Sequence, residues 1–300
     1  MNNSQKYFDP ETLSRIRPLG LRARSLVEGL VAGFHRSPLH GQSIEFSQHR
    51  EYAPGDDLRL VDWKAYARSD RIHLKQYEDE TNFVANLLID VSQSMSFKSE
   101  TSHLSKLEYA QLICCCLTHL AISQQDQVAV GTLATGINHW LPASSSTLQF
   151  DNLVSMFEEL STSPDTDLER SLKLATNRIT RTGIVIVMSD FLDEMSRIES
   201  GLRLLRCSGH DCMAIQILDR AELDFPFEDF TCFEGLELPA QLPTDPLLIG
   251  AAYRRAARKF CQDVEVLCRG IGIDYFLVRT SESLAVALPM ILAKRSRPRR

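Results

Sequence analysis

Two rhythms of apolar and polar positions run along this chain. From residue 83 onward, short apolar runs of strand length alternate with longer stretches of helical spacing. The run 83–89 (FVANLLI) predicts a strand that ends in a polar loop, 106–123 a helix, 128–132 a strand and 138–141 a further short strand. Helices are predicted over 148–160 and 168–181. The segment 183–188 (GIVIVM) is a near-continuous apolar run, the pattern of a strand buried on both faces. A helix over 195–207, a strand over 212–218, a helix from Asp245-Pro246 to residue 270, a strand over 273–278 and a helix over 283–294 complete the series. Alternation of this kind predicts an α/β fold, a mainly parallel sheet with helices on both faces.

The first part of the chain is patterned differently. Asp9-Pro10 reads as a cap followed by proline at the first helical position, opening a short helix to about residue 17. Leu26, Val27, Leu30, Val31 and Phe34 share one face of a second helix. Between 33 and 80, short extended pieces at 43–46 and 72–77 alternate with turn signals at Ser37-Pro38, Gly41 and Pro54-Gly55. That stretch is too irregular for a βα unit. The expected organisation is a helical and β-containing companion segment over 1–82, the α/β body over 83–293 and a basic tail over 294–300.

Composition adds limits. With 300 residues, 44% of them hydrophobic and 24% charged, the chain has ordinary globular usage, which excludes collagen, low-complexity disorder and a coiled-coil rod. Of the eight cysteines, three are adjacent at 114–116 in an apolar stretch and read as buried free thiols of a reducing compartment. No CxxC or HxxxH spacing supports zinc. The polar first ten residues lack a signal-peptide core, and no apolar run is long enough to span a bilayer, so a cytoplasmic, non-spanning protein is expected. Residues 1–82 carry 12 Lys/Arg and 12 Asp/Glu, residues 83–293 carry 16 and 27, and the tail KRSRPRR carries five basic residues. A body of net −11 repels phosphate backbones, so nucleic acid is disfavoured and only the basic termini offer it a foothold.

In a parallel sheet, ligands gather at the carboxyl ends of the strands. After the first body strand comes Asp90-Val91-Ser92-Gln93-Ser94, in which alternate residues supply a carboxylate and two hydroxyls, hard oxygen donors of the kind Mg²⁺ or Mn²⁺ takes. After GIVIVM comes Ser189-Asp190, a second carboxylate. The polar loop Asp165-Thr166-Asp167 opens a helix between them, and Thr166 adds a third hydroxyl. Each piece also has a plainer reading: Ser and Asp favour turns and helix caps, Thr166 is a candidate cap, and Asp190 can cap the next helix or pair with an arginine.

The constellation resembles the metal-ion-dependent adhesion site of von Willebrand factor A domains. That resemblance implies Asp90, Ser92, Ser94, Thr166 and Asp190 as metal ligands, some through water, in a von Willebrand factor A-like, Rossmann-like sheet. The N-terminal half narrows it. Gly33-Phe34-His35-Arg36-Ser37, then Arg50-Glu51-Tyr52-Ala53-Pro54-Gly55-Asp56-Asp57-Leu58-Arg59, Val61-Asp62-Trp63, Ala67-Arg68 and Tyr77-Glu78-Asp79-Glu80 follow in order. The series resembles the bacterial domain-of-unknown-function 58 family over about residues 20–220. The family implies a cytoplasmic protein with an interaction or assembly role beside a MoxR-type AAA+ ATPase, whose carboxylate would complete the metal's coordination.

Arg50, Tyr52, Gly55, Asp56, Asp57, Arg59, Asp62, Trp63 and Arg68 form either an ion-pair network that locks the companion segment in place or a partner-binding surface, with a second metal site as a further alternative. The leading functional expectation is a non-enzymatic, metal-dependent protein-interaction module. The alternatives are a metal-dependent phosphate-ester hydrolase and nucleic-acid binding through the basic termini. Against the hydrolase, the loop reads DVSQS rather than DxD, and neither a Gly-rich phosphate loop nor GxSxG occurs.

Overall fold

Near-continuous apolar strands build the centre of the molecule. The structure, a computed structural model, describes residues 84–164, 166–236 and 241–295, the strands Ile44–Glu51 and His73–Asp79, and Val27. Two compact units divide the chain: Ser37–Phe83, and Met1–Arg36 together with Val84–Arg300.

In the smaller unit, β1 (Ile44–Glu51) pairs antiparallel with β2 (His73–Asp79), Ile44 opposite Asp79 and Glu51 opposite His73, with an irregularity between Phe46 and Gln48. The extended pieces expected at 43–46 and 72–77 fall on these strands. Arg50 belongs to β1 and faces Leu74 across the ladder. Tyr52, Gly55, Asp56, Asp57, Arg59, Asp62, Trp63 and Arg68 lie outside the described residues, as do the basic residues 296–300 and, apart from the buried helical residue Val27, the predicted N-terminal helices.

The larger unit holds a six-stranded sheet. Its strands are β3 (Val84–Asp90), β4 (Gln127–Leu133), β5 (Ile137–Ser144), β6 (Ile184–Ser189), β7 (Asp211–Leu218) and β10 (Asp274–Arg279). Their spatial order is β10-β7-β6-β3-β4-β5, parallel throughout except for the antiparallel β4–β5 edge. The mainly parallel α/β sheet expected from the sequence is therefore present. Every residue of β3 and β6 is buried, as apolar strands with both faces covered require. Edge strand β5 is half exposed and tolerates Pro142, whose missing N–H costs nothing on an outer edge.

Helices cover both faces. On one side, Leu168, Leu172 and Ala175 of α3 (Leu168–Arg178), Ile198, Leu202 and Leu205 of α4 (Met195–Cys207), and Val264 and Cys268 of α6 (Pro246–Gly270) pack on Leu88, Val185, Val187 and Ala214. Successive strand residues face opposite ways. Leu87 and Ile89, almost wholly buried, therefore face the other side, where α1 (Lys106–Ser123) runs against β3, β4 and β7 with α2 (Leu148–Glu158) beside it. A helix buried nearly all round is apolar nearly all round, which accounts for Cys114, Cys115 and Cys116. The start of α1 is fixed by a capping box, Ser105 accepting from the Glu108 amide while the Glu108 carboxylate accepts from the Ser105 amide.

Three elements were not expected from the pattern: the short helix α5 (Arg220–Asp224) and the hairpin strands β8 (Thr231–Glu234) and β9 (Gln241–Thr244). The last helix, α7 (Leu284–Arg295), follows β10. Among the described residues no helix is long and apolar enough to cross a membrane.

Candidate metal centre

The strand order places one crevice where ligands are expected. From β3 the chain winds to β4 and β5 on one side, then returns to β6, β7 and β10 on the other, so the winding reverses between β3 and β6. Open α/β sheets bind ligands at the carboxyl ends flanking such a reversal. Asp90 is the last residue of β3, and Ser189 the last of β6, followed at once by Asp190.

Local chain geometry then builds the site. Val91 continues the ladder, donating its amide to the Leu133 carbonyl at 2.9 Å. The Ser92 amide turns back onto Asp90 Oδ1 at 2.8 Å, and a 3₁₀ turn (Gln93–Ser96) follows, anchored by the fully buried Met95. Across the loop, the Ser163 amide donates to the Val91 carbonyl (2.7 Å) and the Asp167 amide to the Ala134 carbonyl (2.9 Å), which ties Ser163 and Asp167 to the ends of β3 and β4. The helix-cap role goes to Asp167, whose side chain accepts from the Arg170 amide at 2.9 Å.

Thr166 instead lines a small cavity with Asp90, Ser92, Ser94 and Asp190; Ser189, Leu133, Ala134 and Phe191 to Asp193 supply more of its wall. All five residues singled out from the sequence thus reach one cavity. Its volume is about 10 Å³, room for one water-sized occupant. Among the described residues, no group of three or more His, Cys, Asp or Glu is placed to hold a metal, so this site is distinguished by hydroxyls and two carboxylates.

The electrostatics of the two carboxylates differ. Asp90 is buried and held by neutral donors, the Ser92 amide and the Ser189 hydroxyl, the latter donating to Oδ2 at 2.6 Å. Burial, then repulsion from Asp190, push Asp90 up to about 7 against the pull of those hydrogen bonds. Asp190 has a cation: Lys106 Nζ donates to its Oδ2 at 2.7 Å and to Glu222 Oε1 at 2.7 Å. The Lys106 side chain is 0% exposed at the first position of α1. Burial works to discharge that ammonium, but Asp190 and then Glu222 outweigh burial and hold it above its ordinary value.

Asp190 is fixed at its other atoms too. Its Oδ1 accepts from the Leu192 amide at 3.1 Å, and its carbonyl accepts from Gln216 Nε2 at 2.8 Å, itself oriented by the Tyr275 hydroxyl at 2.6 Å. The buried Phe191 takes a left-handed φ of 57°, a sparsely populated conformation for a residue with a side chain, directly after the carboxylate it helps aim.

The sequence pattern does not single out Lys106, Ser189, Gln216 or Glu222. They come from a helix start, two other strand ends and α5, and nothing local to them signals that they meet.

These residues suit a small divalent cation. The Ser92 and Ser94 hydroxyl oxygens lie 3.0 Å apart. Adjacent oxygens of an octahedron with bonds of ~2.1 Å lie ~3.0 Å apart, so the pair already has that spacing. The cavity also presents a buried carboxylate, Asp90, which is held by neutral donors alone.

Comparison with known proteins adds the lineage. The uncharacterized protein Mb1516 of Mycobacterium bovis is 24% identical over 299 residues, covering 96% of this chain and 91% of its own. Among solved structures, BatB from Bacteroides thetaiotaomicron is 18% identical with a TM-score of 0.49, covering 71% of this chain and 97% of that one. The SpRpn10 VWA domain is 12% identical with a TM-score of 0.39, covering 69% and 93%. At such scores the architecture stands on the strand order itself. The model of the family described as Protein of unknown function DUF58 matches residues 48–258, most of the chain, and the protein belongs to that family.

Proposed function

We propose that this chain is a non-enzymatic protein-interaction module whose binding depends on a divalent metal, Mg²⁺ or Mn²⁺. Asp90, Ser92, Ser94, Thr166 and Asp190 would hold it, and a bound metal would supply a Lewis-acidic point able to take a carboxylate from another protein. The observation that carries this reading is the buried Asp90 carboxylate in a water-sized cavity that Thr166, Ser92 and Ser94 line with it.

The chain's own residues set the character of the site. Hydroxyls are neutral ligands and leave a cation's charge largely unspent. Lys106 offsets the charge of one of the two carboxylates, so the pair does not saturate a dication. Ser189 keeps Asp90 Oδ2 in place, and Leu192 and Lys106 do the same for Asp190. The partner in this reading is a MoxR-type AAA+ ATPase, acting with this chain in the cytoplasm in assembly or maturation of a protein complex.

Affinity capture tests this, comparing wild type with Asp90→Ala, each with and without EDTA. Capture of the ATPase by wild type alone, lost on chelation, is the expected result. A partner held equally in all four conditions removes the metal from binding, and an ATPase absent from all four removes the named partner.

A further inference from the structure

A second surface lies at the other elements the pattern did not anticipate. α5 ends on Phe225 in a left-handed conformation (φ 47°), which turns the chain toward the β8–β9 hairpin. The Phe225 ring packs on Tyr253 of α6 at 4.5 Å between centroids and on Phe233 of β8 at 5.4 Å. Gly250 of α6 lies beside the same ring. These contacts clamp the hairpin to the Gly250–Tyr253 side of α6.

Beside the clamp, three large apolar side chains face solvent at the start of α6: Phe230 (74% exposed), Leu247 (73%) and Leu248 (80%). The hairpin register brings these three to the start of α6, while Leu242 lies opposite Phe233 on the clamped face. Thr231 lies opposite Thr244, which sets Phe230 next to Asp245, the residue that caps the helix carrying Leu247 and Leu248. Clustered exposed apolar side chains of this size mark an interaction site.

The flanks are charged in opposite senses. At 100° per residue, Arg255, Arg258 and Lys259 fall on the α6 face that also carries Leu247 and Leu248, and all three are exposed. On the hairpin side, Glu228, Asp229 and Glu234 are exposed. Among the described residues no carboxylate pairs with Arg255 or Arg258, and Lys259 reaches Asp263 only at 4.0 Å.

We propose that this face binds a second copy of the chain about a two-fold axis. The acidic hairpin of each protomer would meet the basic α6 face of its partner, with Phe230, Leu247 and Leu248 at the centre. Symmetry carries the argument: a two-fold interface must complement itself, and a row ordered acidic, apolar, basic matches its own image turned by 180°. A uniformly acidic protein partner or an anionic membrane would match α6 and meet repulsion from Glu228, Asp229 and Glu234.

Sedimentation equilibrium of the full chain tests the proposal. Wild type sediments as a dimer whose dissociation constant rises with salt. The double variants R255E/R258E and E228K/D229K each raise that constant ~10-fold or more. An equimolar mixture of the two restores the dimer, because each reversed flank now meets its opposite, and that rescue shows both variants to be folded. A monomeric wild type at its highest soluble concentration, variants that dimerise like wild type, or a mixture that stays monomeric would each overturn the proposal. A monomeric wild type would leave the surface to a different protein.

Discussion

Lys106 shows how much a single residue holds at this site. Its ammonium is fully buried at a helix N-terminus, where the helix dipole opposes a cation, and it persists because Asp190 and Glu222 each approach to 2.7 Å. Replacing it with methionine keeps most of the volume and leaves the buried Asp190 and the half-buried Glu222 without their shared cation. Lys106→Met is predicted to lower stability by roughly 3–5 kcal/mol, read by urea unfolding. A second residue makes a pH prediction. His210 is buried, no partner for its Nδ1 is present among the described residues, and burial holds its imidazole below the ordinary value near 6.5. As pH falls through about 6.5, the unfolded chain takes up a proton that the native chain refuses, so this residue's contribution to stability falls with it. Unfolding midpoints measured from pH 8 to pH 5 should decline less steeply in His210→Phe than in wild type.

The ligand-type residues were legible because each has a local signature: a carboxylate or hydroxyl just past an apolar strand run, or at a helix entrance. Asp90, Ser92, Ser94, Thr166 and Asp190 lie in one cavity because parallel strands bring such loops to one end of the sheet. Lys106 was hidden because it reads as the first polar residue of an apolar helix. Ser189 was hidden because it closes a strand whose remaining residues are core.

Among the elements, α1 is the most deeply set. Its bounds, Lys106–Ser123, agree with the expectation from the pattern, because a Ser-x-x-Glu cap and a long apolar run leave little freedom; those of α4 agree too, with no side-chain cap at its start. Cys114, Cys115 and Cys116 face no solvent, and burial pushes their thiols well up. Cys207 and Cys232 are exposed, while Cys212, Cys261 and Cys268 are buried. A thiol reagent on native protein should therefore label Cys207 and Cys232 quickly, with the other six reacting only after denaturant; mass spectrometry of the labelled peptides identifies the sites. Gly183 illustrates what an apolar pattern conceals. Read as the first residue of a strand run, it permits a close approach to β3, since a Cβ there would run into the Val84 carbonyl oxygen. Gly183→Ala is predicted to cost of the order of 3 kcal/mol, measured by thermal unfolding. Helix α5 and strands β8 and β9 escaped the pattern because each spans four or five residues, too short for a period to register.

Over the whole molecule, the winding order does the functional placing. A sheet that reverses between β3 and β6 leaves a crevice at their carboxyl ends, and the carboxylates stand on its two sides. The body's net negative charge is ordinary surface, whereas the two places with distinctive chemistry are local: a hydroxyl-and-carboxylate cavity, and a row of acidic, apolar and basic side chains along the hairpin and α6. Isothermal titration of Mg²⁺ into EDTA-treated protein decides whether this cavity holds a metal. Wild type should show a single binding event that disappears in Asp90→Ala while the far-ultraviolet circular dichroism spectrum is unchanged. Equal Mg²⁺ binding by the two proteins would contradict a metal in this cavity.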